Sequence, residues 1–358
     1  HKLQWLKPPG PSLRIHRVPR WPSAHRAQLP LAHHSSQGKG MAERAADQRR
    51  VLFCFPAASG HLNPSLPLAR CVVEAGHQAQ YLCSEPMRGA IEDTGASFHA
   101  VESAMPELYS SRQADLIGAM GSLQEEHGVT DGFFITWQKF SAMHLELQLP
   151  GMLRVLQHWA PDVVVYDPVL CAYAAVGASL LKIPSVALLT FAGPGAREPE
   201  WRAFLEESRL SFGEADSELK HFEPHVAAVR RLKDAYGIDC PLGLRRPLGK
   251  LETLALSELT LVTTAEHLQN PLSREMAAAY QAEGARFEYV GALLDRPGAR
   301  RAGTHKEHGP GTGPARENPT PASSRAPCPN DPSQDAVVAS VAADRAAKRK
   351  GVLVSMGT

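Results

Sequence analysis

The chain has 358 residues, 43% of them hydrophobic, and its 38 Lys and Arg nearly cancel its 37 Asp and Glu to leave a formal charge of +1. That length can fill a packed, layered core. The balanced charge excludes a global field for nucleic acid or an anionic membrane, so the expected partner is a small molecule. Six cysteines, Cys54, Cys71, Cys83, Cys171, Cys240 and Cys328, show no Cys-x-x-Cys spacing and several lie in apolar runs, which predicts reduced thiols and a cytoplasmic setting. No metal-ligand spacing is evident, so no metal is expected.

In chain order, residues 1–49 come first. His1 to Gly40 contains no acidic residue and is rich in proline and scattered basic residues, the bias of a disordered tail. Two origins fit it: translated sequence upstream of a start at Met41, or an organelle-targeting segment.

Residues 50–296 alternate short β-rich runs with longer helical stretches, which predicts βαβ units: an α/β fold with a Rossmann-like, doubly wound parallel sheet covered on both faces. The expected strands are Val51–Phe55, Gln78–Cys83, Ser97–Val101, Asp162–Tyr166, Ser185–Thr190, Leu259–Thr263 and Phe287–Val290. Met105–Leu156 and Arg197–Leu251 are helical in composition and of the length that shapes a binding cleft. The most apolar stretch, Val163 to Gly193, is broken by Asp167, Lys182 and Pro184, so no spanning helix is expected.

The first strand runs into Pro56-Ala57-Ala58-Ser59-Gly60, small residues suited to a sharp turn, and then His61. Asn63 reads as a helix N-cap with Pro64 in the first helical position, followed by an apolar stripe at Leu66, Ala69 and Val73 and a terminal Gly76. His61 is thereby expected at the carboxyl edge of the sheet, where open parallel sheets bind ligands, with the positive helix end favouring the neutral ring. It reads equally as a general base or as a histidine that fills the turn. Asp167 follows the buried run Asp162–Tyr166 and is expected at the same edge. It reads either as an Asp-Pro turn or as the carboxylate that fixes the His61 tautomer.

Residues 297–334, dense in Gly, Pro, Ser, Arg and Thr, read as a disordered linker. Asp335–Lys348 has helical spacing and Gly351–Ser355 reads as a strand.

Phe55-Pro56-Ala57-Ala58-Ser59-Gly60-His61-Leu62-Asn63-Pro64, Glu74-Ala75-Gly76-His77 and Pro161-Asp162-Val163-Val164-Val165-Tyr166-Asp167 resemble the amino end of UDP-glycosyltransferases, nearest the macrolide-type branch. Lys182-Ile183-Pro184-Ser185-Val186, Leu268-Gln269 with Pro271, and Tyr289-Val290-Gly291 extend the match, and Ser355-Met356-Gly357-Thr358 resembles the opening of the donor domain. The resemblance covers Val51 to Leu294 and the final strand. Family patterns often carry a second histidine where this chain has Ser59.

This resemblance implies the amino-terminal, acceptor-binding half of a GT-B fold (50–296) and the start of a donor domain (335–358). It implies transfer of a sugar from a UDP-sugar, as co-substrate, to a hydroxyl of a small lipophilic acceptor. His61 would be the general base, oriented by Asp167, and the anomeric centre would invert without a metal or other cofactor. Gly60, Ser355 and Thr358 fall on its donor-phosphate side. Phe133, Phe134, Trp137, Phe140 and Met143 read either as an acceptor pocket or, at helical spacing, as core. With the family's donor contacts falling after Thr358, the polypeptide is expected to show no appreciable transfer by itself, and UDP-sugar is expected as a partner only where a donor domain is present.

Two rivals share these features: a non-catalytic small-molecule-binding module, and another enzyme of the same architecture such as a nucleotide-sugar epimerase or a lipid-linked sugar transferase. Hydrolase and dinucleotide chemistry lack their motifs, Gly-x-Ser-x-Gly and Gly-x-Gly-x-x-Gly after the first strand.

Overall fold

The computed structural model describes residues 48–110 and 116–293. The proposed tail, the 297–334 linker, the 335–358 segment and, with it, Ser355 and Thr358 lie outside the described residues. All described residues belong to the first of two units of the chain, His1–Arg300.

The elements, in chain order, are β1 (Arg50–Cys54), α1 (Ser59–Leu62), α2 (Leu66–Glu74), β2 (Gln78–Cys83), α3 (Arg88–Glu92), β3 (Ser97–Ala100), α4 (Val101–Ala104), α5 (Pro106–Tyr109), α6 (Leu116–His127) and α7 (Phe133–Trp159). There follow β4 (Val163–Tyr166), α8 (Ala172–Leu181), β5 (Ser185–Leu189), α9 (Arg197–Glu207), α10 (Phe212–His221), α11 (Glu223–Tyr236), β6 (Leu259–Val262), α12 (Arg274–Ala282) and β7 (Phe287–Tyr289). The seven strands form one sheet in the order β3-β2-β1-β4-β5-β6-β7, and every neighbouring pair is parallel. This is the expected Rossmann-like α/β sheet.

The strands form because both of their faces are buried, so they need continuous apolar runs. Leu52 and Cys54 point into one core with Val164, Tyr166 and Ala187. Val51, Phe53 and Phe55 point into the other with Tyr81, Val165 and Leu188. Helices α7, α8 and α11 contribute to the first core, through Leu149, Met152, Ala174, Ala178 and Leu232, and α2 to the second, through Leu66, Ala69 and Val72. Phe53 is fully buried and stacks on Tyr81 with ring centroids 4.8 Å apart. Burying such a side chain contributes about 1.5–3 kcal/mol.

Five strands stop one residue short of their expected ends and β4 starts one residue late, but several flanking residues still donate to the ladder, as Thr263 N–H does to Leu189 O and Val290 N–H to Val262 O. Val101 instead begins α4.

One local expectation fails. The helix after β1 does not start at Asn63: Ala58, in extended conformation, precedes a helical turn that begins at Ser59. The His61 and Leu62 N–H groups donate to Ala58 O at 3.0 and 2.9 Å. Asn63 is itself right-handed helical and caps nothing with its side chain. Pro64 lacks the N–H that would bond Gly60, so residues 63–65 tighten into a 3₁₀ turn before α2 continues. The terminal glycine behaves as expected, Gly76 adopting φ 85°.

Helix α7 is 27 residues long with Pro150 inside it. At Gly151 the end of α4 comes so close that an added Cβ would stand 2.3 Å from Ala104 O. One turn on, Arg154 donates to that same oxygen at 3.1 Å and pairs with Glu107. Gly151→Ala is therefore expected to lose about 1–3 kcal/mol despite its better helix propensity, because backbone must move; an unchanged urea midpoint would contradict this.

The cysteines differ sharply in environment. Cys54, Cys83 and Cys171 are buried, Cys240 is intermediate and Cys71 is exposed. Burial pushes the Cys83 thiol up to about 12 and Cys240 to about 11, and raises Cys54 and Cys171 as well. Native alkylation followed by peptide mass mapping should modify Cys71 well before Cys54, Cys83 and Cys171, which should react only on unfolding; early labelling of Cys171 would refute that order.

Candidate active site

Strands β1, β2 and β3 run outward in one direction across the sheet and β4 to β7 in the other. The order therefore reverses between β1 and β4, the switch point at whose carboxyl side open parallel sheets bind ligands. Cys54 pairs with Tyr166 in register, and Asp167 N–H donates to Cys54 O at 3.1 Å. This places the segment after β1, which carries His61, beside the segment after β4, which begins at Asp167.

Asp167 is fully buried. Its Oδ1 accepts the N–H groups of Val169 at 2.9 Å and Leu170 at 2.7 Å, closing the turn that leads to α8. Its Oδ2 lies 2.7 Å from His61 Nδ1. The Asp-Pro turn and the histidine partner, weighed above as alternatives, are both present and use different oxygens. Thr253 Oγ1 donates to Pro168 O at 2.6 Å and Tyr166 Oη to Thr253 O at 2.7 Å, tying the turn to residues 252–256.

A carboxylate only accepts, so the Nδ1 that meets it carries the hydrogen, and in the neutral ring Nε2 is the nitrogen with the lone pair. The His61 side chain retains 19% exposure whereas that of Asp167 has 1%. The ring is thus held from behind by a shielded charge. Such a pair can take a proton from a hydroxyl at Nε2 and stabilise the resulting imidazolium.

Two further residues stand at this edge that sequence reasoning missed. Phe191, just after β5, meets the His61 ring edge-on with centroids 5.5 Å apart and planes at 79°. The Arg197 guanidinium lies over the Phe191 ring, 5.6 Å from its centroid. The only signal for them was that Ser185–Thr190 had to end at the same edge, followed by Gly193-Pro194-Gly195. Those glycines are spatially required: a Cβ on Gly193 would stand 2.7 Å from Gln269 Cβ, and one on Gly195 2.8 Å from Asn270 O.

Gly60 is exposed, and an added Cβ there would meet nothing within 4 Å. The expected aromatic pocket divides. Phe134 is buried against Trp201 and Phe204, and Phe140 is buried with Met120 and Leu123. Trp137 and Met143 pack against the Phe140 cluster, and Phe133 is exposed over a cleft shared with Phe204, Ser208 and Leu210. Most of the aromatic run is therefore core. That cleft and two others, along α9 and between α7 and α11, are not lined by His61 or Asp167. Among the described residues no group of three or more His, Cys, Asp or Glu is arranged to hold a metal ion, and no helix is long and apolar enough to cross a membrane.

Asp167→Ala strands two backbone donors and is expected to lose about 2–4 kcal/mol. Asp167→Asn keeps an amide oxygen for both and should lose roughly half or less of that, while turning the imidazole to the other tautomer. Urea denaturation and ¹⁵N shifts of His61 measure the two effects separately; equal instability of both variants would refute the split role of the two oxygens.

No family model matches the chain, and no curated protein matches it either. Solved structures do. One described as the glycotransferase of kitacinnamycin is 22% identical over 76% of this chain and 55% of its own, with a TM-score of 0.45. The calicheamicin glycosyltransferase is 19% identical over 70% and 54%, with a TM-score of 0.46. A spinosyn rhamnosyltransferase complexed with thymidine diphosphate is 18% identical over 63% and 48%, with a TM-score of 0.33. The chain thus spans about half the length of these structures. Similarity at this level fixes neither activity nor substrate. What the described residues establish is a Rossmann-like α/β sheet with a histidine–aspartate pair at its switch point.

Proposed function

We propose that this chain carries the acceptor-activating half of a nucleotide-sugar-dependent glycosyltransferase of the GT-B type. The observation that carries the reading is the 2.7 Å contact of His61 Nδ1 with a buried, doubly anchored Asp167 at the switch point of a parallel sheet. His61 takes the proton of an acceptor hydroxyl at Nε2 as the oxygen attacks the anomeric carbon. The C–O bond to the nucleotide diphosphate breaks, the diphosphate leaves with the bonding pair, and the anomeric centre inverts. Asp167 fixes the tautomer and shares the imidazolium charge. No resident metal or other cofactor is needed in this scheme.

The acceptor is a small lipophilic molecule bearing a hydroxyl, for which the apolar Phe191 ring beside His61 offers a first contact. The donor is a UDP-sugar by sequence resemblance. The thymidine diphosphate in one of the similar structures makes thymidine nucleotides the comparison to run beside it. Gly60 leaves its exposed backbone open to a ligand, as a position facing the donor phosphates requires. Ser355 and Thr358 are proposed on the same side from sequence alone.

The test is transfer by the chain supplied with a donor domain, to a panel of lipophilic alcohols and phenols with UDP- and TDP-sugars, read by mass spectrometry; no product with any pair would count against the reading. Wherever product forms, His61→Gln is expected to lower kcat by about 100- to 10,000-fold with the acceptor KM little changed. Undiminished turnover by that variant would overturn the reading.

A further inference from the structure

Arg197 opens α9 in a place where a charged side chain is costly. Its side chain is 13% exposed, its Nε lacks a hydrogen-bond partner among the described residues, and it pairs with Glu200, three residues on, at 2.8 Å. Its backbone is clamped, since an added Cβ on Gly249 would stand 2.7 Å from Arg197 O. The guanidinium faces the Phe191 ring at 5.6 Å, and that ring in turn meets His61 at 5.5 Å. Burial works against the charge of Arg197, and Glu200, then Asp167 and Tyr280, restore it. Asp167 is therefore within electrostatic reach.

A buried carboxylate beside a histidine has two sources of counter-charge: the imidazole can protonate, or a permanent cation can stand nearby. The first makes the histidine a poor base at rest. We propose that Arg197 is a positioning residue of the pair, the fixed cation that lets Asp167 remain charged while His61 rests neutral, with the Phe191 ring as the contact that links guanidinium and imidazole. This inference rests on the reading of His61 as the base and adds what keeps it ready.

The other titratable groups facing the pair do not compete for this role. Burial holds the Cys171 thiol, which follows Asp167 in the same turn, well above its ordinary range, and it raises the Tyr166 and Tyr280 phenols, so all three are neutral.

The experiment is ¹H–¹⁵N NMR of the His61 ring in the full chain, with the signal assigned through His61→Gln, at the pH where about half of the wild-type ring is protonated. Arg197→Met removes the cation and should raise the imidazolium-to-neutral ratio by about threefold or more. Glu200→Gln leaves the cation in place and less compensated, and should lower the ratio. Arg197→Lys should stay near wild type. Opposite signs at two positions on one helix are not produced by loosened packing. An unchanged ratio in Arg197→Met, or shifts of the same sign in both variants, would overturn the proposal. If Arg197→Met does not fold, the direction of Glu200→Gln decides alone. Because the readout needs no turnover, it is separate from the sugar-transfer reading, which the product assay above can sink by itself.

Discussion

The parallel pairing of β1 with β4 is the constraint on which the site depends. Cys54 lies opposite Tyr166, and every strand with a later number in the sheet order stands on one side of that seam. A one-residue slip would turn Leu52 and Cys54 into the wrong core and carry Asp167 away from the turn after β1. Register is held by the apolar faces on both sides and by Asp162, whose Oδ2 accepts Arg50 N–H at 2.7 Å while its own N–H donates to Arg50 O at 2.9 Å. The packing that stabilises the sheet is therefore the same packing that sets the distance between His61 and Asp167.

Much of this was legible in the residues, for a physical reason. Buried parallel strands must be apolar throughout, so runs such as Val163–Tyr166 and Ser185–Leu189 announce themselves. His61 and Asp167 were legible as edge residues because each follows such a run. Less legible was how the chain turns. Asn63 and Pro64 have the residue types of a helix start, yet the helix begins at Ser59 because the backbone of Ala58 can accept two bonds without any side-chain cap. The aromatic run from Phe133 to Met143 presents the composition of a pocket or of a core, and only packing separates them: Phe134 stacks on Phe204 at 5.1 Å, whereas Phe133 stays outside.

Arg197 was not legible at all. Its burial follows from three distant segments, the loop after β5, α9 itself and the Gly249 turn, and no local pattern records their meeting. Charged side chains in sequence read as solvent-facing by default. The exception arises where a shielded negative charge at the neighbouring strand end changes the balance, and such non-local compensation is visible only in three dimensions.

Gln269 sits between two loops, packed on Gly193 by one face and accepting the Tyr289 hydroxyl at 2.6 Å by its amide oxygen, while Asn270 N–H bonds Ala192 O at 2.8 Å. The connection after β5 is consequently braced by the connection after β6 before any guest arrives. A molecule settling beside Phe191 meets a wall already ordered, and the entropy of arranging that wall was spent in folding. Under the proposed function, selectivity at this edge would come from which shapes the fixed wall turns away, and widening it would mean unlatching the Gln269 side chain from its tyrosine.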